Sequence, residues 1–332
     1  MKDYPSISII IPTRNEEALL GQCLESLKQL NYPKTQLEII ISDGLSTDNT
    51  VKIAKSYGVK IVSNEAQTVA PGRNIGFRHS RGDFVAFSDA DCLMDKNWLN
   101  NALKYFRDDK SVAGVGGPNL SPGNESPFGK AVRFLFLFGS FSSGSIYVTN
   151  LKKAKSVKNI PGCNAIYKRE ALGKVMPTDE TLLTGDDVEM NYRLIERGYK
   201  ILYAPDVIVW HYRRDNPKKL WKQIYRYAIG RLQLAKRHKD AINLIHILFG
   251  LAIPIFIFLM IFSFILNPVY PLFLTGAILI ALAIFSGLSL VKEKSLKVAM
   301  SLFLAALIFI FAWSSGFLKE FSRSFLSIKK SR

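Results

Sequence analysis

Two aspartates stand two residues apart in the segment Gly82-Asp83-Phe84-Val85-Ala86-Phe87-Ser88-Asp89-Ala90-Asp91-Cys92. Carboxylate oxygens are hard ligands, and a Mg2+ or Mn2+ ion held by only one or two of them keeps positions that substrate phosphates can fill. Carried at the end of the apolar run Phe84-Val85-Ala86-Phe87, with both side chains on one side of a strand, Asp89 and Asp91 point to a divalent cation. Such a cation neutralises the charge of a departing diphosphate. A solvated strand end shows the same spacing, so the surrounding elements have to decide between the two.

The run Ile7-Ser8-Ile9-Ile10-Ile11 predicts a strand buried on both faces of a parallel sheet and ended by Pro12. Leu19, Leu20, Leu24 and Leu27 then recur at helical spacing over residues 15–30, with Asn15 as the expected cap and Glu16 and Glu17 in the first turn. Residues 39–41 predict a second strand, Ser46-Thr47-Asp48 the opening of a second helix, and residues 59–62 a third strand. Strands alternating with single helices imply an α/β domain with right-handed crossovers and a ligand crevice at the carboxyl ends of its strands. Thr13, Arg14, Asn15 and Glu16 follow the first strand, Asp43 the second, and Asp89 with Asp91 the fourth, so three strand ends converge on one crevice. Taken singly, Asp43 also suits a turn and Arg14 a solvated loop. Neither GxGxxG nor GxxxxGK[ST] follows the first strand, which disfavours a dinucleotide cofactor and P-loop chemistry.

In order along the chain stand Ile10-Ile11-Pro12-Thr13-Arg14-Asn15-Glu16, Ile41-Ser42-Asp43-Gly44, Ser46-Thr47-Asp48-Asn49-Thr50, Arg73-Asn74 with Gly76, and Gly82-Asp83 leading to Asp89-Ala90-Asp91. This series resembles the family 2 glycosyltransferases over most of residues 5–240. The resemblance implies a GT-A fold, a Rossmann-like and mostly parallel sheet, and an inverting transfer of sugar from a nucleotide diphosphate sugar, UDP- or GDP-linked. By the same resemblance Pro12, Thr13, Arg14, Asn15, Glu16 and Asp43 hold the nucleotide, Arg73 the diphosphate and Asp91 a cation, Mn2+ or Mg2+, with Asp89 beside the donor. The segment Asp43-Gly44-Leu45-Ser46 departs from the two consecutive acids of many members.

An inverting displacement needs a base for the acceptor hydroxyl. Thr184-Gly185-Asp186-Asp187 resembles the acidic pair that supplies it, with Asp187 as the base and Asp186 in the sugar pocket; both acids also suit the start of a helix. Gly162-Cys163-Asn164 resembles the loop lining the acceptor side of that pocket, and His211, closing the strand-like run Val207-Ile208-Val209-Trp210, resembles a further metal ligand. Gln223, Arg226 and Tyr227 resemble an acceptor-binding Gln-X-X-Arg-Trp element with Tyr227 in the Trp position, which disfavours processive synthesis. A nucleotidyltransferase acting on sugar phosphates, or a non-catalytic nucleotide-sugar-binding membrane protein, are the alternatives.

The implied domains are a catalytic domain over 1–212, a basic interfacial amphipathic helix region over 213–240, a transmembrane region over 241–320 and a basic tail over 321–332. Leu220, Trp221, Ile224, Tyr225, Ala228 and Leu232 give the interfacial helix its apolar face. Runs at 244–266, 269–291 and 298–318 each approach the ~20 apolar residues that span a bilayer, with Pro254 and Pro268 tolerated. No signal peptide is expected, because Met1 to Ser6 lead straight into the first strand. Of the formal net charge of +17, residues 207–240 carry ten Lys or Arg against two Asp, an excess of +8. That placement points to anionic lipid headgroups and a cytoplasmic catalytic domain rather than to nucleic acid. The expected partners are a nucleotide-sugar donor, a lipid-linked or glycan acceptor and membrane lipids. Phe134-Leu135-Phe136-Leu137-Phe138 is read either as an interfacial helix guiding a lipid-linked acceptor or as core packed on the sheet. Cys23, Cys92 and Cys163 show no paired spacing, so neither a zinc site nor a disulfide framework is expected.

Overall fold

A computed structural model describes residues 4–138, 151–213 and 215–330, with residues 138 and 325–330 described by backbone alone. From the amino terminus run β1 (Ile7–Thr13), α1 (Leu20–Lys28), β2 (Leu37–Asp43), α2 (Thr50–Ser56), β3 (Lys60–Ser63), α3 (Val69–His79) and β4 (Phe84–Ser88). There follow β5 (Cys92–Met94), α4 (Trp98–Asp108), β6 (Val112–Gly116), β7 (Asn119–Leu120), α5 (Pro127–Phe138), β8 (Lys155–Ser156) and β9 (Asn164–Lys168). Next come α6 (Arg169–Gly173), α7 (Asp186–Glu196), β10 (Lys200–Tyr203), β11 (Val209–His211) and α8 (Pro217–Ala235). The chain closes with α9 (Leu244–Gly250), α10 (Ala252–Leu266), α11 (Tyr270–Glu293) and α12 (Leu296–Lys330). These elements form two compact units, Met1–Pro122 with Gly144–Tyr212, and Gly123–Ser143 with Arg213–Arg332.

In the first unit eight strands form one sheet in the order β3-β2-β1-β4-β9-β6-β10-β8. The pairs β1–β2, β1–β4, β2–β3 and β6–β10 are parallel, while β9 runs antiparallel between β4 and β6. The period of two along β1 explains its apolar run. Ile7, Ile9 and Ile11 join a core with α1 and α4 residues, whereas Ile10 joins a second core with Val85, Phe87, Tyr167 and the α7 residues Met190 and Leu194. A smaller sheet, β5-β11-β7, places β11 antiparallel to β5 with His211 opposite Cys92.

Two expectations about this unit are corrected. The helix expected from Asn15 begins at Leu20, without a side-chain cap. Asn15 instead takes a positive φ of 54° and ties the loop after β1 to the loop after β2: its N–H donates to Ser46 Oγ at 2.9 Å, and its Oδ1 accepts from Thr47 N at 2.8 Å. Both bonds cross between the two loops, and with them Asn15 holds a left-handed conformation that lies outside a right-handed helix. Asp89 and Asp91 do not share a strand either, because β4 ends at Ser88 and both lie in the turn to β5, where Cys92 N donates to Asp89 O at 3.2 Å.

In the second unit α12 carries the core. Leu302, Ala305, Phe309, Ala312, Trp313 and Phe317 pack with Leu220, Ile224 and Ala228 of α8 and with Ala131, Val132, Phe134 and Leu135 of α5. The α8 stripe expected to meet lipid is therefore covered by α12 at those three positions, while Trp221 and Tyr227 stay exposed. From the run at 134–138, Phe134 and Leu135 are buried in this α12 core with Phe136 partly buried against it, rather than in the cores of the sheet, while Leu137 is exposed. A methyl group added at Gly316 would lie 2.3 Å from Tyr225 O, so the helix backbones meet there at a contact only glycine permits.

The first apolar run is not one continuous helix. α9 and α10 meet at Leu251 with a bend of 58°. Pro254 has no N–H to give the carbonyl of Gly250 four residues back, and Ser314 Oγ donates to that carbonyl at 2.9 Å instead. α11 and α12 are long and apolar enough to cross a membrane, and the bent pair would make a third span if it counts as one. The expected basic tail continues α12 as helix to Lys330.

Candidate active site

The carboxyl ends of β1, β2 and β3 align, since Thr13 pairs with Asp43 and Asp43 with Ser63. The loops that follow them contain Asn15, Leu45 and Gln67, all with φ between 54° and 59°, a cluster of left-handed non-glycine residues of the kind found at binding sites. Asp43 is buried and holds its own turn, accepting from Ser46 Oγ at 2.6 Å and Ser46 N at 3.0 Å. Gly44 N–H donates to Thr13 O at 2.7 Å, and a Cβ on Gly44 would lie 3.3 Å from the Gln67 Cα. Arg14 and Asn15 are exposed, Pro12 and Glu16 half-buried, and Glu16 N donates to Thr50 Oγ1 at 2.8 Å. Thr13 Oγ1, Ser42 Oγ and Asn64 Oδ1 are buried with no hydrogen-bond partner among the described residues. Ser42 and Asn64 were missed in the sequence; their signal was a polar residue at or just past a strand end.

Arg73 joins the two acidic clusters. Sequence spacing predicts no partner for it, but α3 buries it so that Nη1 meets Asp186 Oδ2 at 2.7 Å and Nη2 lies 3.9 Å from Asp89 Oδ1. Its guanidinium also lies over the Phe87 ring, 5.6 Å from the centroid. Burial works against the charge on Arg73, yet Asp186, Asp187 and Asp89 together outweigh it and hold the guanidinium ionised. A Cβ on Gly162 would fall 2.4 Å from Arg73 Nη2, so glycine at this position makes room for the guanidinium.

Asp186 and Asp187 open α7 behind Gly185, whose φ of 87° suits glycine. The Gly162 N–H donates to Asp187 Oδ2 at 2.9 Å, and Val188 N donates to Oδ1 at the same distance. Burial, with the charge of Asp186 added, pushes the Asp187 carboxyl up, against the opposing pull of Arg73 and the two N–H donors. The loop before the pair is clamped by Asn74, which donates to Thr178 O at 3.0 Å and to Glu180 Oε1 at 2.8 Å. Asn74 is a positioning residue whose role the sequence alone did not disclose.

His211 completes the other cluster. Its Nε2 lies 3.1 Å from Asp91 Oδ1, and one ligand atom from each of Asp89, Asp91 and His211 lies within 4.8 Å of the other two. Two carboxylates and an imidazole are a donor set suited to Mn2+ or Mg2+. Of the glycine loop, Gly162 holds Asp187, Cys163 Sγ accepts from Asn119 Nδ2 at 3.1 Å, and Asn164 is fully buried. Asn164 accepts from Trp98 Nε1 at 2.8 Å and donates to Val207 O at 2.8 Å and Pro118 O at 3.3 Å. Its amide braces the core, which replaces the sugar-pocket role expected of it. Gln223, Arg226 and Tyr227 lie on α8 in the second unit, where Gln223 Nε2 donates to Tyr227 Oη at 3.0 Å.

The family model described as "Glycosyl transferase family 2" matches residues 8–176. A Methanococcus voltae protein, the dolichyl N-acetyl-alpha-D-glucosaminyl phosphate 3-beta-D-2,3-diacetamido-2,3-dideoxy-beta-D-glucuronosyltransferase, is 29% identical over 243 residues, 68% of this chain and 72% of that protein. Glycosyltransferase AglE of Haloferax volcanii is 28% identical over 240 residues, 69% of this chain and 74% of its own. Among solved structures, the mannosyltransferase PcManGT of Pyrobaculum calidifontis, in complex with GDP-Man and Mn2+, superposes with a TM-score of 0.63 at 20% identity, over 93% of this chain and 88% of that one. The chain belongs to glycosyl transferase family 2 and is an inverting glycosyltransferase with a GT-A domain and apolar C-terminal helices of membrane-spanning length.

Proposed function

We propose that this chain transfers a sugar from a UDP- or GDP-sugar to a lipid-linked or glycan acceptor at the cytoplasmic face of a membrane. The observation that carries the reading is Arg73, one buried guanidinium between the Asp186–Asp187 pair and the Asp89–Asp91–His211 cluster. In this reading Pro12, Thr13, Arg14, Asn15, Glu16 and Asp43 receive the nucleotide, and the buried Thr13 and Ser42 hydroxyls supply hydrogen-bonding capacity to it. Asp91 and His211 hold Mn2+ or Mg2+, with Asp89 as a third donor in reach. When bound, the cation neutralises charge on the leaving diphosphate. Arg73 adds positive charge on the same side, and Asp187 takes the proton of the acceptor hydroxyl, a role that its raised pKa suits. Gly162, Cys163 and Asp186 border the sugar, with Gln223, Arg226 and Tyr227 assigned to the acceptor.

The name of the Methanococcus relative, which specifies a dolichyl-phosphate-linked sugar, supports a lipid-linked acceptor. The PcManGT complex with GDP-Man and Mn2+, and the Staphylococcus aureus TarS fragment with UDP-GlcNAc (TM-score 0.50, 19% identity), support the two donor classes. The excess of cations over residues 207–240, next to the first apolar run, supports a multi-pass arrangement with the catalytic domain inside.

Thermal unfolding of the detergent-solubilised chain with UDP, GDP, CDP and their sugars, with and without Mn2+, tests this. One nucleotide class should stabilise the wild type in a metal-dependent way, and Asp91→Ala should lose that dependence. Stabilisation by none of them at saturating concentration, or an unchanged metal response in Asp91→Ala, would refute the donor and cation assignments.

A further inference from the structure

Cys92, Cys163 and His211 bring two thiols and an imidazole together, with one ligand atom from each within 4.8 Å of the others. Sequence spacing gives no hint of this arrangement, and no metal site was expected of these cysteines. Cys92 lies opposite His211 across the antiparallel β5–β11 pair, and Cys163 arrives from the glycine loop that opens β9. Cys92 and Cys163 are both buried, and the His211 side chain is only 15% exposed. Three candidate ligands from three separate segments are thus already gathered, two by the smaller sheet and one by the loop that enters β9 of the larger.

We infer that Cys92, Cys163 and His211 form a site for a soft divalent cation, Zn2+ or Cd2+, that shares His211 with the carboxylate cluster of Asp89 and Asp91. Sulfur ligands favour such cations, whereas carboxylates suit Mg2+ and Mn2+. Three protein ligands leave a fourth position for water. Each thiol releases its proton to solvent as its sulfur–metal bond forms, so two thiolates balance the charge of the cation. A neutral imidazole has one free lone pair, so a cation in the sulfur site withdraws His211 from the carboxylate site. That consequence rests on the proposed role of His211; the ligand set itself does not.

The test is a Cd2+ titration of the full-length, detergent-solubilised, chelator-treated chain. One equivalent should produce thiolate-to-cadmium charge-transfer absorption, retained in Cys23→Ser and at least halved in Cys92→Ser and Cys163→Ser. Absorption absent from the wild type, or undiminished in both variants, overturns the site. Because a buried serine can disturb packing, cadmium NMR of the wild type decides without substitution: a shift typical of two sulfur ligands supports the site, and one typical of oxygen and nitrogen alone overturns it. With Mn2+ present, Zn2+ should lower wild-type transfer by about 10-fold, the scale of lost metal support. Added Mn2+ should relieve that loss, and Cys92→Ser, measured against its own Zn2+-free rate, should largely escape it. Cadmium on both sulfurs with transfer untouched by Zn2+ would uphold the sulfur site and remove His211 from the carboxylate site.

Discussion

Asp186–Asp187 and Asp89–Asp91 are two acid pairs within reach of one arginine, and they are held in opposite ways. The first pair opens a helix, takes N–H donors from Gly162 and Val188, and meets Arg73 at 2.7 Å. The second lies in a turn, with Asp91 against His211 at 3.1 Å and Asp89 36% exposed on its side chain and 3.9 Å from Arg73. Backbone donors and a raised pKa suit a carboxylate that must keep its place while gaining a proton. A turn that offers oxygens beside an imidazole suits a cation instead. Identical side chains thus acquire different chemistry from the elements that carry them.

The largest expected effect falls on the first pair. Asp187→Asn keeps the shape and one acceptor oxygen for the neighbouring N–H groups, yet removes the proton acceptor, so kcat should fall about 10^3-fold or more while donor binding persists. Steady-state transfer alongside nucleotide-dependent thermal shifts separates the two, and near-normal turnover would erase the contrast. Arg73→Ala leaves the buried Asp186 uncompensated and should lower stability by about 3–5 kcal/mol, readable by denaturant unfolding of the variant. A loss well below that would mean that Arg73 serves ligands alone.

The pH profile sharpens the difference further. A base works deprotonated, so its activity is lost as pH falls through its pKa, and burial with the Asp186 charge has raised that pKa. The acidic limb of kcat should therefore lie above the ordinary carboxylate range and move down in Asp186→Asn. A limb at the usual aspartate position would remove the environmental argument for Asp187. The smallest effect is expected in the apolar unit. Ser314→Ala deprives the Gly250 carbonyl of its donor at the α9–α10 bend and should cost about 1 kcal/mol in a thermal or denaturant assay, without changing the contrast between the acid pairs.

Much of the site was legible because strand periodicity places polar residues at strand ends. Thr13, Asp43, Asp89 and Asp91 were each located that way, and His211 closes β11. What escaped were partnerships between distant segments. Arg73 and Asp186 lie 113 residues apart, and nothing local to α3 announces the acid it will meet. Asn164 read as a pocket residue because its glycine-loop context is local, whereas its three amide contacts lie on other elements. The first apolar run read as one unbroken stretch because composition does not register where a proline leaves a carbonyl free and a serine sixty-four residues away bonds it.

The sequence by itself determined the alternation of strands and helices, the crevice at the carboxyl ends of the strands, the acids that border it and the apolar carboxyl-terminal third, because each follows from periodicity or residue chemistry over a few turns of chain. Only the tertiary structure decided which acid faces a guanidinium and which an imidazole, that Gly162 must yield space to Arg73, and that two cysteines far apart in the chain lie beside one histidine. Those outcomes depend on sheet order and register, which bring remote residues within a few ångströms of one another and leave no trace in local spacing.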